Sequence, residues 1–308
     1  MARVLGLGDA GVDIIIHIPR LPHHDEKILA TRFERHSGGV IANFLCALSR
    51  LGTTSAFVGC LGNDEFGAIV RKGLDEFQVD VSSLIVKDGE ETYFSLSMLD
   101  DTGEKALVIA PTATMFPTPE DLTDDTFRGA DLIHTTGLRA DTTLKAIALA
   151  QRHGVKVSLD LEPSTLRLGG DYVREVLASS HLLFVNGHAI REMFPGESDL
   201  TRAGLELLRQ GPQMVIITSG GDGSLVVTRT ETIHTRAFQV DVKDTTGAGD
   251  CFNAAFVHGH LEGWPLERTA LFATAAAALS ITVVGAQSGL PAVRDVEAFL
   301  QKRRAPTA

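Results

Sequence analysis

The sequence predicts an α/β fold: a doubly wound, mainly parallel sheet flanked by helices, with a small β-sheet lid over the active site. Three observations carry that expectation. From Asp131 onward, short apolar runs alternate with segments of helical spacing, the pattern of parallel strands buried on both faces. The first third instead carries half-polar β segments that do not fit this alternation. Glycine, at 30 of 308 residues, exceeds the roughly 7% of average usage. The surplus belongs in turns or where backbone approaches a ligand.

Arg3–Leu7 reads as a short apolar strand, and Asp13–Ile18 as a second, rich in isoleucine. Ile28–His36 alternates apolar and polar residues, as a half-solvated strand does. Gly39–Leu51 places Ile41, Leu45 and Leu48 at helical spacing and stops at Gly52. Thr54–Cys60 is expected to be a strand and Glu65–Phe77 a helix. Two β runs come next, Thr92–Leu99 and Lys105–Ala110, joined by the hairpin turn Asp100-Asp101-Thr102-Gly103-Glu104. Strands at Leu132–His134, Lys156–Leu159, Leu182–Val185 and Met214–Thr218 then alternate with helices near Thr142–His153, Tyr172–Ser179 and Leu200–Arg209. Helices at Ala248–His260, Pro265–Val283 and Val293–Lys302 close the chain. No repeat or linker divides it. Residues 1–308 therefore read as a single domain, with lid segments at about 13–18, 28–36 and 92–110 beyond the C-terminal strand ends where such folds bind ligands.

Composition excludes partners more readily than it names them. With 28 Lys and Arg against 39 Asp and Glu, the net charge of −11 argues against nucleic acid and against anionic membrane, both of which attract basic surfaces. A hydrophobic content of 44% supports a large core. Cys46, Cys60 and Cys251 lie far apart without metal-binding spacing and read as small core residues of a reducing compartment. No signal-peptide pattern and no apolar run long enough to span a bilayer is visible, so a cytoplasmic protein is expected.

Two glycine-rich segments invite comparison. Gly6-Leu-Gly8-Asp-Ala-Gly11 is a literal GxGxxG, but a dinucleotide site needs a helix directly after it. The residues after Gly11 form a β-branched run broken by Pro19 and Pro22, so these glycines read as a strand exit. No GxxxxGK[ST] occurs. Asp244-Thr-Thr-Gly247-Ala-Gly249-Asp250 is different, because a helix starts immediately after it. Its first-turn amides are a place to hold phosphate. Asp250 as a simple N-cap would explain neither flanking glycine nor the paired threonines. An acid at an anion site suits a base that takes a proton from an incoming hydroxyl, as phosphoryl transfer requires.

Asp244–Asp250 resembles the C-terminal signature of the ribokinase-like (PfkB) family of carbohydrate kinases. Gly38-Gly39-Val-Ile-Ala-Asn43, with Leu48-Ser-Arg-Leu51-Gly52, resembles the N-terminal signature of the same family. Gly59-Cys-Leu-Gly62-Asn-Asp64-Glu-Phe-Gly67, Phe272-Ala-Thr-Ala-Ala-Ala-Ala and Gly285-Ala-Gln287 also fall where that family has them, so the resemblance covers nearly the whole chain.

The resemblance implies an ATP-dependent sugar kinase with Asp250 as general base and Gly247, Ala248 and Gly249 as the anion hole. Asp13, Gly38, Gly39 and Asn43 would hold sugar hydroxyls. The nucleotide side would be Asn186, Thr218, Gly220, Gly221 and Gly223, with Thr274 and Ala277 near adenine. Asp244, Thr246, Ser280, Val283, Gly285 and Gly289 match positions that ring a monovalent cation such as K+ in several relatives. Mg2+ is expected with ATP, yet the family's Asn-x-x-Glu reads here as Asn186-Gly-His-Ala189, without the acid. Ribokinase proper would carry Lys where Val40 stands and an acid near Gly137, so ribose is not favoured. Arg139 could meet an acidic or phosphorylated sugar, or be an exposed residue before a helix. His17, His23, His24 and His36 read as surface residues of the lid. The alternatives are a nucleoside kinase of the same family and a binding-only relative. Exposed lid edges suggest a homodimer through the lid.

Overall fold

The computed structural model describes residues 2–102 and 104–304; Gly103 of the expected hairpin turn lies outside them. In chain order the strands are β1 (Arg3–Leu7), β2 (Gly11–Ile18), β3 (Arg32–Gly38), β4 (Thr54–Gly62), β5 (Leu84–Lys87), β6 (Phe94–Asp100), β7 (Lys105–Ala110), β8 (Leu132–Thr135), β9 (Lys156–Leu161), β10 (Leu182–Asn186), β11 (Met214–Thr218), β12 (Ser224–Val227) and β13 (Thr232–Thr235). The helices are α1 (Val40–Arg50), α2 (Glu65–Glu76), α3 (Asp124–Phe127), α4 (Ala140–His153), α5 (Pro163–Leu166), α6 (Gly170–Ser179), α7 (Gly187–Met193), α8 (Leu200–Arg209), α9 (Ala248–Leu261), α10 (Leu266–Ser280) and α11 (Val293–Arg304).

Nine strands form the body sheet in the order β13-β12-β11-β10-β9-β8-β1-β4-β5. It is parallel from β11 to β5, and β12 and β13 add an antiparallel edge. Successive side chains of a strand point to opposite faces, and the apolar strands use both. Val4, Leu132, Phe184 and Ile216 join one core with α1, α9 and α10. Leu5, Ile133, Leu183, Val215 and Ile217 join a second core with α4, α6 and α8. The doubly wound expectation holds for this physical reason: each strand must be apolar on both sides.

The lid is a separate four-stranded sheet in the order β3-β2-β6-β7. Its strand β3 differs from the expected Ile28–His36. Residues Ile28–Thr31 lie outside it, and it runs on to Gly38. The last pair of its register is His17 with Arg32, and β2 ends at Ile18 before Pro19, which offers no amide for a ladder. Ile28–Ala30 thus have no strand to pair with, and Leu29 is 89% exposed. α10 is also shorter than the expected Pro265–Val283, because Pro265 sits at its N-cap and Ile281 at its C-cap. The four-residue edge strands β5 and β13 are additional to the expected elements.

The GxGxxG segment has no helix after it, as expected, but its glycines do more than end a strand. A β-carbon on Gly6 would lie 2.7 Å from Leu45, and one on Gly8 would lie 2.6 Å from Ile41. Their absence lets α1 pack directly on β1, which sets where Asn43 of that helix stands.

Candidate active site

Asp250 lies in the first turn of α9. Gly247 caps that helix in the left-handed region at φ 77°, where glycine carries no β-carbon penalty. The Ala248 amide donates to Thr245 O at 3.3 Å and the Cys251 amide to Gly247 O at 2.9 Å. The amides of Gly249 and Asp250 between them have no acceptor within the helix by its geometry, and the helix dipole adds positive potential there. Burial pushes the Asp250 carboxyl well above the usual carboxylate range, and the charges of Asp160, Glu162 and Asp9 push the same way. The amide of Asn43 opposes them, donating from Nδ2 to Asp250 Oδ2 at 3.0 Å.

Asn43 is itself held. Gln287 donates from Nε2 to Asn43 Oδ1 at 2.9 Å. The helix bearing Asn43 starts at Gly39, which has no side chain to cap it. Asp9, from the β1–β2 turn, supplies the cap from a distance: the Val40 and Ile41 amides donate to its carboxylate at 3.1 and 3.4 Å, as does the Tyr93 hydroxyl at 3.1 Å. Burial raises the Asp9 pKa against these bonds. Asp13 on β2 accepts a hydrogen bond from Ser95 Oγ at 2.6 Å. A β-carbon on Gly38 would come 2.0 Å from Asp13 Oδ2, so only glycine lets the β3 backbone pass over that carboxylate. Asp13, Gly38, Gly39 and Asn43 thus meet where lid and body join.

At the C-terminal end of β9, Asp160 accepts from Asn253 Nδ2 at 2.9 Å. Burial, then the neighbouring Glu162 charge, push its pKa up to about 8. Burial also raises Glu162. These acids crowd Asp250 electrostatically, although the sequence marks them only as polar residues at a strand end.

Against α9 opens a largely apolar cavity of about 450 Å³, within the usual size range for small-molecule sites. Thr218, Gly220, Gly221, Gly223, Thr274 and Ala277 line it together with Ala248 and Gly249 of α9. The expected nucleotide residues are therefore brought together, with Asn186 alongside: it pairs with Thr218 in the sheet and caps α7 by accepting the Ala189 amide at 2.9 Å. Sequence reading missed the far wall, Ala237 to Val242, which comes after β13 without regular structure and so leaves no periodic signal.

Asp244 ties the anion loop to the chain after α10. Its Oδ1 accepts the Thr246 amide and hydroxyl at 2.9 and 2.7 Å, and its Oδ2 accepts the Gly285 amide at 2.9 Å. A β-carbon on Gly289 would lie 2.4 Å from Ser280 O. Asp244, Thr246 and Gly285 are thus linked directly and Ser280 and Gly289 pack together, while Val283 is exposed. Arg139 has no hydrogen bond to these groups among the described residues. It forms a two-bond pair with Asp141 at 2.9 and 3.2 Å beside a small cavity that Gly8 and Thr136 also line. Ala189, where the family acid would be, is fully buried. Among the described residues no group of three His, Cys, Asp or Glu side chains is arranged to hold a metal, and no helix is long and apolar enough to cross a membrane.

Comparison with known proteins adds relatives to this geometry. Residues 1–293 match the family described as pfkB family carbohydrate kinase. An ATP-dependent ribose-1-phosphate kinase of Halopiger xanaduensis is 31% identical, over 98% of this chain and 99% of that one. A fructokinase of Salmonella typhimurium is 30% identical, over 96% and 98%. Among solved structures, the Arabidopsis thaliana ribokinase complexed with ribose and ATP superposes with a TM-score of 0.86 at 28% identity, over 98% and 99% of the two chains.

Proposed function

Because the chain belongs to the pfkB family of carbohydrate kinases and is a phosphotransferase acting on sugar hydroxyl groups, we propose that Asp250 is its base and that the N-terminus of α9 is its anion hole. The observation that carries this reading is the position of one buried carboxylate. Asp250 stands beside two helix amides that lack helical acceptors, directly after Gly249 of the cavity lining and hydrogen-bonded to Asn43.

ATP occupies the 450 Å³ cavity, with adenine against Thr274 and Ala277 and its phosphates toward the Gly220–Gly223 turn and Gly249. The sugar lies under the lid, its hydroxyls on Asp13, Asn43 and the Gly38–Gly39 backbone. Asp250 takes the proton of the hydroxymethyl group as its oxygen bonds to the γ-phosphorus and the bond to the bridging oxygen breaks, releasing ADP, while the Gly247–Gly249 amides receive the charge that gathers on the phosphoryl oxygens. Burial, and after it the neighbouring acids, makes Asp250 proton-hungry, and the Asn43 amide keeps its ionised form available. Lid closure excludes water, so that ATP is not simply hydrolysed.

With no cage of three acidic or imidazole ligands among the described residues, Mg2+ suits this site as an ion carried by ATP oxygens and water. Bound there, it neutralises charge on the triphosphate. The Asp244 loop, with Thr246, Ser280, Val283, Gly285 and Gly289, is proposed to take a monovalent cation through backbone oxygens, and turnover is then higher in K+ than in a bulky organic cation. The edge strand β7 exposes Leu107, Val108 and Ile109 in succession, which supports pairing of two lids in a homodimer. A light-scattering mass of one chain removes that pairing.

An ADP-release assay tests the function with ATP and Mg2+ against free sugars, sugar phosphates, adenosine and inosine. Release with at least one sugar, dependent on Asp250, is expected. Absence of ADP release across the whole panel overturns the reading.

A further inference from the structure

The hydrogen bonds around Asp250 have a direction. Gln287 Nε2 donates to Asn43 Oδ1 at 2.9 Å, and Asn43 Nδ2 donates to Asp250 Oδ2 at 3.0 Å. A carboxamide has one accepting and one donating end, so the bond from Gln287 decides which end of Asn43 faces the carboxylate. Turned over, Asn43 would present its oxygen to the Asp250 carboxylate and repel it. Asn43 is 5% exposed, so water has little access to correct such an error.

The upstream end of this chain lies against the lid. Gln287 comes two residues after Gly285, and a β-carbon on Gly285 would lie 3.6 Å from His36 Nδ1, a β3 residue. The next residue of β3, Ser37, has a buried hydroxyl without a hydrogen-bond partner among the described residues. A buried hydroxyl left unpaired is costly and calls for a reason. Its surroundings supply one. A β-carbon on Gly73 of α2 would lie 2.5 Å from Ser37 Oγ and 3.4 Å from Gln287 Oε1, so both oxygens border the same small space, which the missing side chain of Gly73 leaves open. Glycine inside a helix is less favourable than alanine, so its place there calls for a reason. One residue further on, β3 ends at Gly38 and leads through Gly39 at φ 99° into the helix that carries Asn43.

We propose that Gln287 is a positioning residue for phosphoryl transfer, holding Asn43 with its donor toward Asp250, and that the Ser37 hydroxyl completes the chain by donating to Gln287 Oε1 when the lid closes over substrate. The chain Ser37, Gln287, Asn43, Asp250 then reports lid closure to the base. This rests on the reading of Asp250 as that base. The groups that face Asp250 otherwise are the acids Asp9, Asp160 and Glu162, all of which raise its proton affinity, and Asn43 is what counters them. Loss of the correct Asn43 orientation therefore moves the acidic limb of the kcat profile to higher pH.

The test compares Gln287→Leu, Gln287→Glu, Ser37→Ala and Asp250→Asn in the full chain, with thermal melts and calorimetric sugar binding run beside the kinetics. Gln287→Glu keeps the shape but can only accept, so it draws the Asn43 donor to itself and turns the wrong end to Asp250. Expected are about a tenfold fall in kcat for Gln287→Leu and a larger one for Gln287→Glu, both with the acidic limb shifted upward and KM for ATP unchanged. Ser37→Ala lowers kcat in the wild-type background and adds nothing to Gln287→Leu. A structural role alone would lower the melting temperature without moving the limb, and that outcome overturns the proposal. Additive effects of Ser37→Ala and Gln287→Leu overturn the lid link. If Asp250→Asn retains turnover, the base assignment itself is wrong. If Asp250→Asn is inactive while both Gln287 variants keep the wild-type profile, the base stands and the positioning role is wrong.

Discussion

Asn43 and Asp250, 207 positions apart in sequence, share a hydrogen bond of 3.0 Å that joins the first turns of α1 and α9. Each helix meets the reaction centre with its N-terminus, so the two positive ends converge on one carboxylate. Asp250→Asn preserves size and keeps a polar partner for Asn43 but removes the proton acceptor. It should fold normally and lose about 10²–10⁴-fold in kcat, the usual contribution of a general base. Steady-state ADP release checks this, and near-normal turnover in a variant of normal melting temperature would refute the role.

Asp160 gives the enzyme a pH dependence of stability. Its folded pKa, near 8, lies above the ordinary value of 3.8, so the folded state holds a proton that the unfolded chain has released. Such a group contributes fully below about pH 4, and the contribution declines as pH rises toward 8, at no more than about 1.4 kcal/mol per unit. Asp160→Asn resembles the protonated form and still accepts from Asn253. It should match the wild type near pH 4 and melt higher at pH 8. A melting difference that does not change between these pH values would show that Asp160 is ionised in the folded protein.

Ala277 lines the cavity proposed for ATP from α10, beside Ala278 and Thr274. Ala277→Leu adds three carbons on the cavity side and should raise KM for ATP about tenfold or more, since one methylene is worth roughly 10–200-fold in a fitted pocket. KM for the sugar should hold, because Asp13 and Asn43, the groups proposed to hold it, are not part of the cavity lining. Equal rises in both KM values would place the adenine elsewhere.

The body of the fold is legible in the sequence because its strands must be apolar on both faces, as the split of Val4 and Leu5 between two cores illustrates. The Asp244–Asp250 loop is legible because glycines, threonines and an acid directly before a helix leave few readings. The lid limits are less so, since β3 depends on where its partner β2 stops, a tertiary fact. Asp9 as a remote cap of α1, and the chain from Gln287 through Asn43, are invisible for the same reason. They join residues that no local pattern relates, and the Gly6 and Gly8 positions that make room for α1 can be read only once that helix is in place. The wall from Ala237 to Val242 carries no period at all.

Gly247 shows how closely the anion loop is specified. Its φ of 77° is costly for any other residue, by about 1–2 kcal/mol. A β-carbon there would also meet Ala286 Cβ at 2.8 Å, with the Ala286 carbonyl oxygen at 3.0 Å. Gly247→Ala should therefore lower stability by more than the backbone term alone and displace the Ala248 and Gly249 amides, with a fall in kcat that exceeds any change in KM for the sugar. Adding Ala286→Gly removes the nearer contact but neither the carbonyl contact nor the φ penalty. The double variant should recover part of the melting temperature, and the two substitutions should couple in a double-mutant cycle. Strict additivity would mean that the loop yields by moving away from Ala286, and that the position tolerates a side chain the packing here forbids.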